Sequence, residues 1–299
     1  MKLLKTIKYM SVFILIFISS TYAVVADSAT KSATKEEEKG INKREFAINY
    51  NQGLQNFKDG KKDKALASFS KAIELDPSSA DAYYFRGYIY QDMGQDNEAI
   101  TDFSKAIEIN PSYGDAYSRR GSIYYNRREY DQAIPDFSKA IEILPPEKGF
   151  YINRGYAYAN SKQYDLGIAD FNKAIEMDPT SSMVFLGLGT AYLNKREYDM
   201  AITTYNKAID LDPLSAQAYK YRGEAYNQKG EDEKAIADYT KAIELDPKDG
   251  EIYLSLAIIY YVKEDFQKAW DNANKAKDTG TQIDEAMFDE FRRAAGKQK

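Results

Sequence analysis

The sequence predicts an all-α repeat array: seven 34-residue helix-turn-helix units followed by a C-terminal capping helix. Three observations carry this. Pro77, Pro111, Pro145, Pro179, Pro213 and Pro247 stand 34 residues apart. Gly53, Gly87, Gly121, Gly155, Gly189 and Gly223 keep the same interval, as do Ala72, Ala106, Ala140, Ala174, Ala208, Ala242 and Ala276. A single helical phrase recurs, as AITDFSKAIEINP at 99–111, AIPDFSKAIEILP at 133–145 and AIADYTKAIELDP at 235–247. The units are 46–79, 80–113, 114–147, 148–181, 182–215, 216–249 and 250–283.

The unit 80–113 serves as the template. Its first helix is expected over 81–93, where Tyr83, Gly87 and Tyr90 fall on one face. Gly94-Gln95 makes the turn. The second helix is expected over 96–109, with Ala99, Ile100, Phe103, Ala106 and Ile107 on its buried side. Asn110-Pro111 closes it, because a residue before proline is pushed out of the helical region. Glycine inside a helix costs about 1 kcal/mol against alanine. Its return at one position in six units points to a steric need: a close approach of the two helices.

The N-terminus stands apart. Lys2, Lys5 and Lys8 precede an apolar run, MSVFILIFI at 10–18, and then small and polar residues. This is the pattern of a signal peptide over 1–26, cleaved after Ala26 or Ala23. The apolar core is short for a membrane span, so no stable span is expected after cleavage; an uncleaved N-terminal anchor is the alternative. Cleavage removes three lysines and no acidic residue, taking the formal charge from -5 to -8. Residues 27–45 read as a flexible polar linker, with a short helix conceivable at the EEE run. The protein is therefore expected to be exported, to a periplasmic or secreted location.

Composition removes several functional classes. There is no Cys and no His, so disulfides, thiol nucleophiles, lipidated bacterial signals, the usual zinc ligands and Ser-His-Asp chemistry are absent. No phosphate-binding glycine loop, nucleophile elbow or calcium loop occurs. The net negative charge and scattered basic residues argue against a nucleic-acid partner. No enzyme, cofactor or metal is expected.

The repeat pattern resembles the tetratricopeptide repeat family over 46–283. The features that match are Tyr83, Gly87, Tyr90, Ala99, Phe103, Ala106 and Pro111, with their copies. The resemblance implies helix pairs stacked into a right-handed superhelical solenoid with a concave groove that binds a peptide or partner protein. The end units depart from it: Asn49 stands where an aromatic is usual, Ala257 replaces the Gly and Thr281 the Pro. Terminal repeats are expected to be atypical. Ile283, Met287, Phe288 and Phe291 then recur at helical spacing, which reads as the capping helix within 284–299. Pro135 and Pro146 are further departures; Pro135 is expected near the first turn of its helix or as a local deformation.

The copies also reveal a pair. Arg86, Arg120, Arg154 and Arg222 share one repeat position, and Asp102, Asp136, Asp170 and Asp238 share another sixteen residues later. The units that lack the Arg also lack the Asp, as at Leu188 with Thr204. A structural Arg–Asp bridge between the two helices of a unit explains this; an arginine ladder for an acidic ligand is the functional alternative.

In this family the first helix of each unit lines the groove. Carried onto this chain, the groove candidates are Tyr50, Tyr84, Tyr88, Arg119, Tyr125, Asn126, Asn153, Tyr156, Asn160, Asn194, Lys220, Tyr221 and Asn227, with Glu224 beside them. Tyr offers apolar area with a hydroxyl, and Asn can meet both backbone groups of an extended peptide. The Lys and Asn of the family's two-carboxylate clamp are missing: Tyr84 and Tyr88 stand there, followed by Arg119. The expected function is an exported, non-enzymatic adaptor. The alternatives are a structural or self-associating solenoid using convex faces or repeat ends, and a polysaccharide-binding groove.

Overall fold

The computed structural model describes residues 39–297. The expected signal peptide and most of the expected linker lie outside the described residues. The chain forms two compact units that divide between Arg119 and Arg120.

The first unit holds α1 (39–58), α2 (Lys62–Leu75), α3 (Ala80–Asp92), α4 (Asp96–Ile109) and the first part of α5 (Gly114–Asn126). The second holds the rest of α5, then α6 (Tyr130–Ile143), α7 (Lys148–Asn160), α8 (Tyr164–Met177), α9 (Ser182–Asn194), α10 (Tyr198–Leu211), α11 (Ala216–Gln228), α12 (Asp232–Leu245), α13 (Gly250–Val262), α14 (Phe266–Asp278) and α15 (Glu285–Ala294). Among the described residues every regular element is a helix. Helix α1 already includes residue 39, the first described, so 39–45, at the end of the expected linker, are helical.

In the first six repeats the two helices pack through one repeated device. A large aromatic from the second helix lies against a glycine of the first; in the seventh, Ala257 and Ala273 stand at these positions, both fully buried. Phe103 sits against Gly87, where a Cβ would stand 3.1 Å from its ring. Tyr205 sits closer still to Gly189, at 2.6 Å from such a Cβ. Any side chain there would push the helices apart, which is the steric need inferred from the repeated glycine. Alanines complete the interface: Ala65, Ala72, Ala99, Ala106, Ala235 and Ala242 are fully buried.

The turn inside each repeat has a fixed left-handed residue. Gly60, Gly94 and Gly230 have φ of 74°, 73° and 74°. Arg128, Lys162, Arg196 and Glu264 hold the same repeat position at φ 61–65°. In each, the helix C-terminus closes as a Schellman motif: Gln95 N donates to Tyr90 O at 2.8 Å, and Glu129 N to Tyr124 O at 2.8 Å.

The turn between repeats is set by the residue before proline. Asp76, Asn110, Asp178, Asp212 and Asp246 each accept, on the side chain, the backbone N–H two residues on, at 2.9–3.1 Å. The loop after α6 is the exception. Leu144 replaces the acceptor, and Pro146 removes the donor. Donor and acceptor were lost together, so no buried group is orphaned. Pro135 lies in the second turn of α6, past the first turn where it was expected, and the helix runs through it.

Helix α15 covers the last pair. Phe291 is buried among Ala257, Ala269 and Ala273, and Phe288 meets Trp270 at 5.0 Å between centroids. Asp284 caps its N-terminus by accepting from Met287 N. Met287 itself, expected on the apolar face, is exposed.

Candidate functional site

The paired arginines and aspartates are joined inside the fold. Arg86 donates from Nε and Nη2 to both oxygens of Asp102, at 2.7 and 2.8 Å. Arg120 with Asp136, Arg154 with Asp170 and Arg222 with Asp238 repeat this fork at 2.6–2.8 Å. The aspartates are only 3–6% exposed, and the arginine side chains 19–20%. A third bond leaves the unit: Nη1 of Arg86, Arg154 and Arg222 donates to Ser70, Ser138 and Asn206, on the second helix of the preceding repeat. The carboxylates hold each arginine charged and push its pKa further up. The fork that an acidic ligand would take is filled by Asp, so these residues are a staple within and between repeats. The preceding-repeat partner escaped the sequence reading because Ser and Asn are unremarkable at a half-buried helix position. Where the staple is absent, Leu188 is buried, and the Thr204 hydroxyl donates to its own helix at Met200 O.

The groove candidates separate into engaged and presented groups. In the first unit Tyr50 belongs to packing: its ring lies 5.7 Å from Phe46, 5.6 Å from Phe69 and 6.1 Å from Phe85, and burial pushes its phenol up to about 12. Tyr84, Tyr88 and Arg119 come together. The exposed Arg119 guanidinium lies over the Tyr88 ring at 4.4 Å and also bonds the Tyr84 hydroxyl. Tyr88 meets Phe57 edge-on at 5.3 Å. Tyr84 stacks on Tyr113 at 4.9 Å, and Tyr113 donates to Asp81 at 2.7 Å. Burial raises the Tyr84 phenol, and the neighbouring Arg119 charge only partly opposes it. Tyr113 and Asp81 were not singled out from the sequence; one lies in a loop, and their 32-residue separation hides the pair.

In the second unit Tyr125 and Asn160 are partners, Asn160 Nδ2 donating to the Tyr125 hydroxyl at 3.0 Å. Tyr156 is committed to packing: it meets Phe171 edge-on at 5.0 Å, donates to Met183 O at 3.3 Å, and its phenol is pushed up to about 12 by burial. Lys220 is tied to Asp249 at 2.8 Å and Glu251 at 2.7 Å. Tyr221 lies 6.2 Å from Tyr205. Glu224 is half-buried, and burial raises its carboxyl against the pull of Lys220. Asn126, Asn153 and Asn194 are exposed, and Asn227 is half-buried.

Stacked helix hairpins whose first helices carry different polar and aromatic side chains at equivalent positions define a helical-repeat scaffold. Among the described residues no group of His, Cys, Asp or Glu is placed to hold a metal ion, and no helix is long and apolar enough to cross a membrane. Tetratricopeptide repeat models match residues 80–113, 114–145 and 150–181, residues 186–250 and residues 238–271, and a TPR repeat model matches 53–94. The chain belongs to the tetratricopeptide repeat family, whose members act as non-enzymatic scaffolds for protein–protein interaction. No curated protein matches the sequence. Several solved structures share the fold. The C-terminal part of a TPR repeat-containing protein from Cytophaga hutchinsonii aligns with a TM-score of 0.64 at 22% identity, covering 80% of this chain and 98% of that one. A tetratricopeptide repeat protein from Parabacteroides merdae aligns at 0.62 and 19%, covering 85% and 99%. YrrB, described as a TPR protein with an unusual peptide-binding site, aligns at 0.56 and 23%, covering 66% and 97%.

Proposed function

We propose that this protein is an exported adaptor that holds a peptide or an extended segment of a partner protein against the first helices of its repeats. The observation that carries the reading is the Tyr84–Tyr88–Arg119 surface of the first unit. It combines half-buried aromatic area with an exposed guanidinium ordered by a ring face and a hydroxyl. An aromatic surface fixed by its own neighbours loses little freedom on binding, and ordered Tyr and Arg contribute most to such contacts. The cation favours a peptide carrying a carboxylate. The peptide-binding site named for YrrB lends the same fold to this use. Arg86, on the same helix as these tyrosines, is held by Asp102, which leaves Arg119 as the cation offered beside them.

Export rests on the charged head, apolar run and small residues of 1–26. Cell fractionation with N-terminal sequencing tests it: a mature chain beginning at Asp27 or Val24 supports export with cleavage, and an intact Met1 in the cytoplasm removes it.

Selection of displayed random peptides tests binding. The wild-type protein is expected to enrich a defined motif, and the Tyr84→Ala/Tyr88→Ala/Arg119→Ala variant, folded by circular dichroism, to lose it. Equal enrichment by both proteins would move the binding surface elsewhere.

A further inference from the structure

The first helix of each repeat has a position that faces the second helix of the preceding repeat. Ala82, Ala116, Val184, Ala218 and Ile252 occupy it and are 0–1% exposed, and Phe150, the copy in α7, is half-buried. Ala82, for example, packs with Ala72 and Ile73 of α2. The copy of this position in α1 is Ile48, which is 55% exposed. Seven residues earlier, on the same face of α1, Ile41 is 55% exposed as well. Between them on that stripe stand Arg44 and Glu45, both exposed and neither in an ion pair among the described residues.

The rest of this edge is already adapted to water. Ile89, Ala225 and Ile259 are buried seven residues further along their helices, but the copy in α1 is Gln55, exposed and donating to Asp59 at 2.7 Å. Gln52 beside it is exposed too. The apolar patch is therefore confined to 41–48, with opposite charges at its centre.

We propose that this edge pairs with a second copy of the chain, α1 against α1 in antiparallel, about a twofold axis between Arg44 and Glu45. In that register Ile41 meets Ile48 of the second copy, and Arg44 meets Glu45 of the second copy, twice by symmetry. The patch is complementary to itself only in this direction; a parallel pairing sets Arg44 against Arg44. A head-to-tail stack would need an open edge after α14, and α15 covers that edge with Phe291. A helix from the chain's own N-terminal residues lying along the whole of α1 would meet the polar Gln52 and Gln55. A contact this small gives a weak dimer, in the micromolar range or above.

Sedimentation equilibrium of the full-length chain over a rising concentration series tests the proposal, and it is independent of the peptide surface. The wild type should pass from monomer to dimer. Ile48→Glu should weaken the dimer about tenfold or more, because it places a charge on an apolar contact. Arg44→Glu and Glu45→Arg should each weaken it by setting like charges together, and the double exchange Arg44→Glu/Glu45→Arg should restore it. All three substituted positions are exposed, so thermal melts of the variants should match the wild type. A chain that stays monomeric throughout, as it would if residues 1–38 cover the edge, overturns the proposal. So does a dimer indifferent to Ile48→Glu, or a charge exchange that fails to restore association.

Discussion

Arg154 grips Asp170 through two parallel hydrogen bonds, Nε to Oδ2 at 2.7 Å and Nη2 to Oδ1 at 2.8 Å, and the carboxylate is almost wholly buried. Removing one partner of such a pair strands the other. Arg154→Leu and Asp170→Thr should each lower stability by about 2–3 kcal/mol, less than a fully buried pair because the arginine is partly solvated. The double variant Arg154→Leu/Asp170→Thr copies the solution of the fifth repeat, Leu188 with Thr204, and should recover most of the loss. Urea midpoints of the four proteins form the double-mutant cycle; additive losses would contradict the coupling.

The left-handed turn position offers a gain. Arg128, Lys162, Arg196 and Glu264 adopt a φ that glycine takes without a Cβ penalty, as it does at Gly60, Gly94 and Gly230. Arg128→Gly should stabilise the fold by about 0.5–1 kcal/mol, and Gly94→Ala should destabilise it by a similar amount. Thermal midpoints moving in opposite directions are the expected result.

The loop after α6 can be repaired only in two steps. Leu144→Asp supplies an acceptor, but Pro146 has no N–H to meet it. The pair Leu144→Asp/Pro146→Ser should regain the turn found at Asp178 and Thr180, adding about 0.5–1 kcal/mol, whereas Leu144→Asp alone should give less. Denaturant midpoints of the single and double variants separate the two outcomes.

Alkaline stability follows from the packed tyrosines. Burial raises the phenols of Tyr50 and Tyr156 from 10 to about 12. A folded pKa above the unfolded one means the folded state holds its proton more tightly. Each site's contribution is intact below pH 10 and is lost as pH rises towards 12. Tyr156→Phe cannot ionise, so its thermal midpoint should fall less steeply between pH 10 and 12 than that of the wild type. Parallel curves would show that Tyr156 is solvated.

The sequence by itself determined the helix pairs, their 34-residue period, the glycine under each aromatic and the capping helix. These rest on local periodicity and on steric needs repeated at fixed intervals. Even a tertiary contact, the Arg–Asp staple, was legible, because copies inside one chain lose or keep both partners together. Tertiary structure decided the rest. Tyr50, Tyr84 and Tyr156 are the same residue type on equivalent faces. One packs half-buried among Phe46, Phe69 and Phe85, one stacks on Tyr113 and bonds the exposed Arg119, and one spent its hydroxyl on the backbone of the next repeat. Lys220 was drawn into an ion triad by residues about 30 positions away. Whether a side chain on the first helix is packed or presented depends on its neighbours in adjoining repeats, and divergence between the copies has made those neighbours different at every step.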